Sequence, residues 1–299
     1  MSETLAVIDE RLVSNLVAEQ FPHWAHLPVS AVARGGWDNR TFHLGDELLV
    51  RLPSGPAYAA QVLREQRWLP HLAPHLTLAI PEPVAMGRPG GGYPWHWSVY
   101  RWLTGQAVVE HPVVDLAGFT ADLARFLVSL QSVDASQGPA AGVQTFHRGG
   151  ALSVYDAQCR AAVQALEGRI DTAVALRAWE LALSSSWGRA PVWVHGDIAL
   201  GNLLLLEGKL HAVIDFGQLC VGDPACDLAI AWTFLRGAHR AAFREALAVD
   251  LGTWRRGRAW ALWKAAIIAA GISQTNAVEG AACWQTLDEI VIECARNEA

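Results

Sequence analysis

Residues 192–217 read VWVHGDIALGNLLLLEGKLHAVIDFG, in which short apolar runs alternate with polar, glycine-containing segments. This pattern predicts a strand, a loop, a second strand, a Glu-Gly-Lys turn and a third strand. Directly afterwards, residues 222–229 read GDPACDLA, with Asp223 at a helix N-cap and Pro224 at the first helical position. A β-hairpin is therefore expected just before an apolar helix.

The sequence around this hairpin predicts helices. Asp115 precedes apolar residues spaced three and four apart, which is typical of an N-capped amphipathic helix. Two more helices are expected at about 153–166 and 171–184, the second capped by Asp171. The remainder of this part of the chain also has a mostly helical pattern, so the predicted hairpin lies inside a helical region.

The first hundred residues have a different pattern. An amphipathic helix near the start is followed by three strands within 29–53, a helix at about 59–72, and strands at 80–83 and 95–103. These elements predict a small antiparallel sheet with one helix.

The polar residues of the hairpin have the spacing H-G-D-x-x-x-x-N from His195 to Asn202, and Asp215 ends the next strand. Phosphoryl transfer from a nucleoside triphosphate passes through a highly charged transition state, so the protein mainly holds metal on the phosphates and orients the attacking hydroxyl. We predict that Asp197 accepts or orients the hydroxyl proton and that Asn202 and Asp215 are oxygen ligands of Mg²⁺. Alternatively, Asp215 caps a turn and Asn202 bonds its own loop backbone.

The segments VHGDIALGN, AVIDFG and GDPACDLA stand in the order and spacing of the aminoglycoside phosphotransferase family, also called the phosphotransferase enzyme family, which the chain resembles over nearly its whole length. The resemblance implies an α+β, bilobal, protein-kinase-like fold. Residues 1–103 would form a nucleotide-binding lobe, and residues 104–299 a larger helical lobe with the catalytic hairpin and the acceptor site. It also implies that His195 supports the catalytic loop and that Asp227 bonds back to it.

The same resemblance assigns residues to the nucleotide. Gly35 and Gly36 lie at a turn whose backbone N–H groups would face the triphosphate, although GGWDN does not match G-x-G-x-x-G and a plain hairpin turn is the alternative. Arg51 stands where many kinases have a phosphate-binding lysine, with Glu65 as its partner. An arginine extending from an edge strand into solvent is the other interpretation.

Ser98 and Tyr100 fall where the resemblance expects the hinge between the lobes. There, backbone groups would bond the nucleotide base, so that side-chain identity would matter little. Trp95 and Trp97 share one strand face and Trp102 lies on the other, so one set is expected to wall the base while the other packs in the core.

Composition limits the possible partners. The 299 residues contain 23 Lys+Arg and 29 Asp+Glu, a net charge of −6, which argues against general binding to nucleic acid or anionic membranes and leaves room for a cationic acceptor. The start lacks a signal-peptide pattern, no apolar run is long enough to span a membrane, and the five cysteines include no CxxC pair. A reducing cytoplasm is expected.

Together these features predict a small-molecule O-kinase that transfers the γ-phosphoryl group of ATP or GTP to a hydroxyl of an aminoglycoside-like acceptor. Macrolide, choline, homoserine or sugar kinase activity, or a catalytically silent nucleotide-binding regulator, are the alternatives. The acidic candidates for the acceptor site are Asp134, Asp156, Glu180, Asp288, Glu289 and Glu293; the aromatic ones are Trp260, Trp263 and Trp284. The segment 147–150 can reach the acceptor or serve only as a capping loop.

Overall fold

The computed structural model describes residues 7–33, 36, 38–275 and 277–297. The chain divides into two compact units. The N-terminal unit consists of the residues up to Gly105 together with Ala212–Gly217, and the C-terminal unit consists of Gln106–His211 and the residues from Gln218 onward.

The N-terminal unit is an antiparallel sheet with two helices. Its helices are α1 (Glu10–Gln20) and α2 (Ala59–Leu72), and its strands are β1 (Val29–Ala31), β2 (Asn39–Leu44), β3 (Leu48–Pro53), β4 (Pro83–Gly87) and β5 (Trp97–Arg101). The strand order is β1-β2-β3-β5-β4, so β5 is paired on both edges. Each pairing is antiparallel.

The core of this unit forms between α1 and the sheet. Asp9 caps α1 by accepting a hydrogen bond from the Leu12 backbone N–H at 2.8 Å, and the apolar face of the helix packs against buried residues of β2, β3 and β5. Trp97 is fully buried there. A Cβ at Gly87 would lie 1.9 Å from the Trp97 ring, so the neighbouring strand needs glycine at that position.

The C-terminal unit is mainly helical. Its helices are α3 (Leu116–Ser132), α4 (Asp156–Ala165), α5 (Thr172–Leu183), α6 (Ile230–Thr233), α7 (Gly237–Leu247), α8 (Leu251–Ala269) and α9 (Ala277–Asn297). Its strands are β6 (Gln106–Ala107), β7 (Val192–Val194), β8 (Leu203–Leu206), β9 (Lys209–Val213), whose last two residues belong to the N-terminal unit, and β10 (Cys220–Gly222). No helix within the described ranges is long and apolar enough to cross a membrane.

Helix α8 forms the centre of this unit. It is buried around most of its circumference and packs against α4, α5, α9 and the turn at Pro224–Ala229. Two small sheets lie beside these helices: β6 pairs with β8 and β8 with β9, while β7 pairs with β10. The hairpin turn between β8 and β9 is Glu207-Gly208, with both residues at positive φ, as a tight two-residue turn requires.

The structure confirms the predicted α+β class and differs from the sequence analysis in some elements. The strand expected at 80–83 lies at Pro83–Gly87 instead, because β5 pairs with that later segment. The segment after Asp223 begins as a 3-10 turn, Pro224–Ala229, and becomes α-helical only for Ile230–Thr233. Strands β6 and β10 are additional.

Candidate active site

The loop after β7 is shaped by a glycine. Gly196 has φ +90°, and a Cβ there would lie 2.7 Å from the Gln218 Cβ and 3.0 Å from the Gln218 carbonyl oxygen. A residue with a side chain would be excluded both by backbone conformation and by space. The sharp turn at Gly196 therefore sets the direction in which Asp197 leaves the strand.

Asn202 holds Asp197 in place. The loop closes with a 3-10 turn at Leu200–Asn202, from which the Asn202 side-chain N–H donates to the Asp197 carbonyl oxygen at 3.0 Å and to its carboxylate Oδ2 at 3.1 Å. This leaves the Asn202 Oδ1, a hard oxygen atom, with no hydrogen-bond donor among the described residues.

Asp227 fastens the start of the loop. Its two carboxylate oxygens accept hydrogen bonds from the backbone N–H groups of His195, at 2.8 Å, and Gly196, at 2.7 Å. Burial raises the pKa of Asp227, an effect opposed by His195 and by the two backbone donors. His195 is fully buried, and its Nδ1 accepts a hydrogen bond from the Asp197 N–H at 3.1 Å. These contacts are the kind that the family resemblance implies for the two residues.

Asp215 belongs to the N-terminal unit, where its backbone is left-handed with φ +65°. Its Oδ1 accepts a hydrogen bond from the Arg51 Nη2 at 2.5 Å. The flanking residues are tied to the same unit, because the Val213 N–H donates to the Ala79 carbonyl oxygen and Arg64 donates to the Gly217 carbonyl oxygen.

Arg51 joins three predicted site residues of this unit. Besides Asp215, its guanidinium bonds both carboxylate oxygens of Glu65, at 3.0 and 3.3 Å, and Glu65 also accepts the Tyr100 hydroxyl at 2.5 Å. Burial lowers the pKa of Arg51, but the carboxylates of Asp215 and Glu65 more than offset this and raise it. Burial and the neighbouring Glu65 raise the pKa of Tyr100 well above its usual value. Arg51 is therefore permanently charged and held by two carboxylates.

The structure gives the predicted hinge residues a different environment from the one expected. Ser98 and Tyr100 lie in β5, where their backbones pair with β3 on one side and β4 on the other. Both side chains are buried, and the Ser98 hydroxyl accepts from Gln66 at 3.0 Å. Sequence reasoning missed the bond from the Tyr100 side chain to Glu65, since it treated side chains at this segment as unimportant.

The structure describes one of the two glycines of the predicted phosphate-facing turn. Gly35 lies outside the described residues. The Gly36 carbonyl oxygen accepts a hydrogen bond from the Arg40 guanidinium at 3.2 Å. The role of this turn toward phosphate stays a prediction.

Asn202 and Asp215, each within its own unit, offer oxygen atoms of the kind that Mg²⁺ binds. Within the described ranges, no three His, Cys, Asp or Glu side chains cluster as a metal cage. Mg²⁺ in phosphoryl-transfer enzymes usually takes one or two protein oxygens and fills its remaining positions with phosphate and water. The Asn202 amide oxygen and the Asp215 carboxylate have the chemistry for that role.

Most of the acidic candidates for the acceptor site are bonded to other side chains of the protein. Asp156 and Glu180 both pair with Arg160, and Glu289 and Glu293 both pair with Arg240. Asp134 accepts two hydrogen bonds from Ser136, while Asp288 is exposed. Trp260 and Trp263 are buried and Trp284 is partly buried.

Two features of the chain are typical of kinase-like phosphotransferases. The unit that carries the sheet contains the buried pair of Arg51 and Glu65, and the helical unit contains a hairpin loop in which Asn202 bonds Asp197. The chain belongs to the Phosphotransferase enzyme family, which it matches over residues 30–260. Over 45 residues it is 47% identical to an aminoglycoside 3'-phosphotransferase of Escherichia coli, a match that covers 15% of this chain and 17% of that relative. The family predicted from the sequence is confirmed.

Solved structures with the same fold cover nearly the whole chain. The GDP and kanamycin complex of APH(2")-IIia matches with a TM-score of 0.69 at 17% identity, covering 96% of this chain and 99% of that one. The apoenzyme of macrolide 2'-phosphotransferase MphH from Brachybacterium faecium matches with a TM-score of 0.59 at 22% identity, covering 94% and 98%. The predicted kinase-like fold is confirmed.

Proposed function

We propose that the protein is a small-molecule O-kinase that transfers the γ-phosphoryl group of ATP or GTP to a hydroxyl of an aminoglycoside-like acceptor. The observation that carries the proposal is the geometry of the loop after β7. Asn202 bonds both the backbone and the carboxylate of Asp197, while Asp227 holds the two residues before it. Such double anchoring fixes a carboxylate for a reaction that depends on positioning.

Each residue has a separate task. Asp197 accepts a hydrogen bond from the attacking hydroxyl and takes up its proton as the bond to phosphorus forms. Asn202 and Asp215 would each supply an oxygen ligand to Mg²⁺, which when bound would neutralise charge on the transferring phosphate. Arg51, oriented by Glu65, contributes a fixed positive charge near the α- and β-phosphates.

We assign the nucleotide to residues 1–103 and the acceptor to residues 104–299, as in the bilobal arrangement that the family resemblance implies. A guanine nucleotide and kanamycin are bound in the neighbouring structure of APH(2")-IIia, which supports both ligand classes. The likeness to the macrolide 2'-phosphotransferase supports a macrolide as the second candidate acceptor. We place the protein in the cytoplasm, where nucleoside triphosphates are available and where its free cysteines stay reduced.

A catalytically silent nucleotide-binding regulator is the competing function. Proteins of that kind are expected to lack the base or a metal ligand, whereas Asp197, Asn202 and Asp215 are all present here. The competing function therefore makes a different prediction, namely nucleotide binding without transfer to any acceptor.

The experiment measures nucleotide consumption with ATP and with GTP over a panel of aminoglycosides, macrolides, choline and simple sugars. We expect acceptor-stimulated turnover that falls by about 10²–10⁴-fold in Asp197→Ala, with Mg·nucleotide affinity unchanged by calorimetry. Asp215→Ala should lose metal-dependent nucleotide binding. Glu245→Ala is the control, because Glu245 is an exposed carboxylate of α7 to which no part of the site is assigned.

Two results would count against the proposal. Full activity of Asp197→Ala would contradict the catalytic role proposed for that carboxylate. Absence of acceptor-stimulated turnover across the whole panel, with intact nucleotide binding, would favour the regulator.

A further inference from the structure

The segment before α4 has an unusual backbone. Phe146 and His147 are consecutive non-glycine residues with positive φ, 48° and 54°, and Gly149 follows with φ +75°. Left-handed conformations are unfavourable for residues with a side chain and persist only where surrounding contacts fix them. The Tyr155 hydroxyl donates to the Phe146 carbonyl oxygen at 2.7 Å, and the Cys220 thiol donates to the Arg148 carbonyl oxygen at 3.1 Å. The backbone is therefore held in a form that fixes the position of Arg148.

The Arg148 guanidinium rests on aromatic rings. Its central carbon lies 5.0 Å from the Trp260 ring centroid and 5.2 Å from that of Trp263, and Tyr155 stacks on Trp263 at 4.0 Å. These rings restrict the guanidinium and favour its positive charge without using its N–H donors. Arg148 is therefore pre-positioned by ring contacts that do not use its N–H donors.

Within the ranges that the structure describes, Arg148 has no carboxylate partner, which distinguishes it from other arginines of the same unit. Arg160, Arg240 and Arg256 each form ion pairs. Among the described residues, by contrast, no acceptor bonds the Arg148 side chain, and its buried Nε has no hydrogen-bond partner. A guanidinium placed in this way attracts anionic or carbonyl oxygen and repels an ammonium group.

The position of Arg148 links it to the proposed catalytic loop. A Cβ on Gly196, the residue before Asp197, would lie 3.2 Å from the Arg148 Cβ and 2.7 Å from the Gln218 Cβ. The Gln218 Oε1 is also buried and has no hydrogen-bond donor in the described part of the chain. The Cβ atoms of two residues with an unpartnered side-chain polar atom, as far as the described residues go, therefore lie beside the same glycine of the catalytic loop.

We propose that Arg148 and Gln218 form an acceptor subsite that takes a carboxylate or carbonyl oxygen on Arg148 and a hydroxyl on Gln218. The subsite rests on the proposed kinase function and narrows its substrate: the part of the acceptor next to the reacting hydroxyl is oxygen-rich and carries no ammonium group. Four of the six carboxylates named as candidates for attracting a polycation are instead paired with Arg160 or Arg240.

The test uses three probes with one ring system and three charges: the p-nitrophenyl β-glycosides of glucuronic acid, glucose and 2-amino-2-deoxyglucose. Binding is followed through quenching of tryptophan fluorescence, without nucleotide. We expect the glucuronide to bind at least 10-fold more tightly than the glucoside and the amino sugar to bind most weakly. Arg148→Gln should make the affinities for the three probes similar, whereas Arg148→Lys should retain part of the preference for the glucuronide.

Arg189→Gln is the matched control, because Arg189 also lies near a tryptophan ring, Trp187, but on an exposed surface of the same unit. Melting temperatures of the variants show that each one is folded. Tightest binding of the amino sugar, no binding of any probe, or an unchanged preference in a folded Arg148→Gln would overturn the subsite.

The design separates the subsite from the kinase function. The order of probe affinities must persist in Asp197→Ala, since that variant lacks only the base. If the order persists but no acceptor is phosphorylated, the subsite stands and the kinase proposal fails. If polycations are phosphorylated with equal efficiency by wild type and Arg148→Gln, the kinase proposal stands and the subsite fails.

Discussion

Replacing Arg51 by methionine should destabilise the protein by about 3 kcal/mol, the low end of the cost of breaking a buried ion pair. The Arg51 and Glu65 side chains are only 13% and 3% exposed, so methionine would leave the Glu65 charge buried without its cation. The Tyr100 hydroxyl, 2.5 Å from Glu65, would still donate one hydrogen bond, which is why we expect the low end. Combining Arg51→Met with Glu65→Gln removes the stranded charge and should recover about 2 kcal/mol.

Urea unfolding, followed by tryptophan fluorescence on the two single variants and the double variant, measures these free energies. Arg101→Met is the matched control, because Arg101 pairs with Glu82 at the surface with 56% and 63% of the side chains exposed, and it should cost less than about 1 kcal/mol. A cost for Arg51→Met no larger than that of the control would refute the argument. So would strictly additive effects of Arg51→Met and Glu65→Gln.

Further predictions concern two buried groups of the C-terminal unit, Asp227 and Cys159. Asp227→Asn keeps only one of the two oxygens that accept the His195 and Gly196 N–H groups, so the free energy of unfolding should fall by about 1–3 kcal/mol in thermal or urea denaturation. Burial raises the pKa of the Cys159 thiol from 9.0 to about 12, so it should not react with a thiol reagent at pH 8. Because the pKa is raised in the folded state, the protonated thiol adds to the free energy of unfolding below pH 9, and this contribution is lost as the pH rises toward 12. Between pH 9 and 10, the free energy of unfolding of the wild type should therefore fall by about 1 kcal/mol more than that of Cys159→Ala. An equal fall in the free energy of unfolding of the two proteins would contradict this prediction.

Elements that depend on local signals were predicted well. The helix expected at about 59–72 has the bounds Ala59–Leu72, and Asp115 and Asp171 cap α3 and α5 through bonds to the Gly118 and Val174 N–H groups. Caps and periodic apolar faces are encoded within a few residues, so a single sequence is enough to identify them.

Elements that depend on partners far away in the sequence were not predicted. Strand β10 exists because it pairs with β7, and β6 because it pairs with β8, and neither short segment has a strong strand pattern of its own. In the site, the ion pair of Arg51 with Glu65 followed from the resemblance, but the bonds to Asp215 and from Tyr100 require the strands to be assembled first. The orphaned Nε of Arg148 likewise becomes apparent only when every neighbour is known.

The N-terminal unit is not a continuous piece of chain. Six residues, Ala212–Gly217, belong to it although they lie more than a hundred residues beyond Gly105, and one of them, Asp215, bonds Arg51. A gene fragment ending near Gly105 would encode a sheet whose buried arginine lacks one of its carboxylates. Recombination between relatives at that boundary would therefore separate the partners of one ion pair. Exchange of N-terminal units within the family should succeed only when the Ala212–Gly217 segment is exchanged with them.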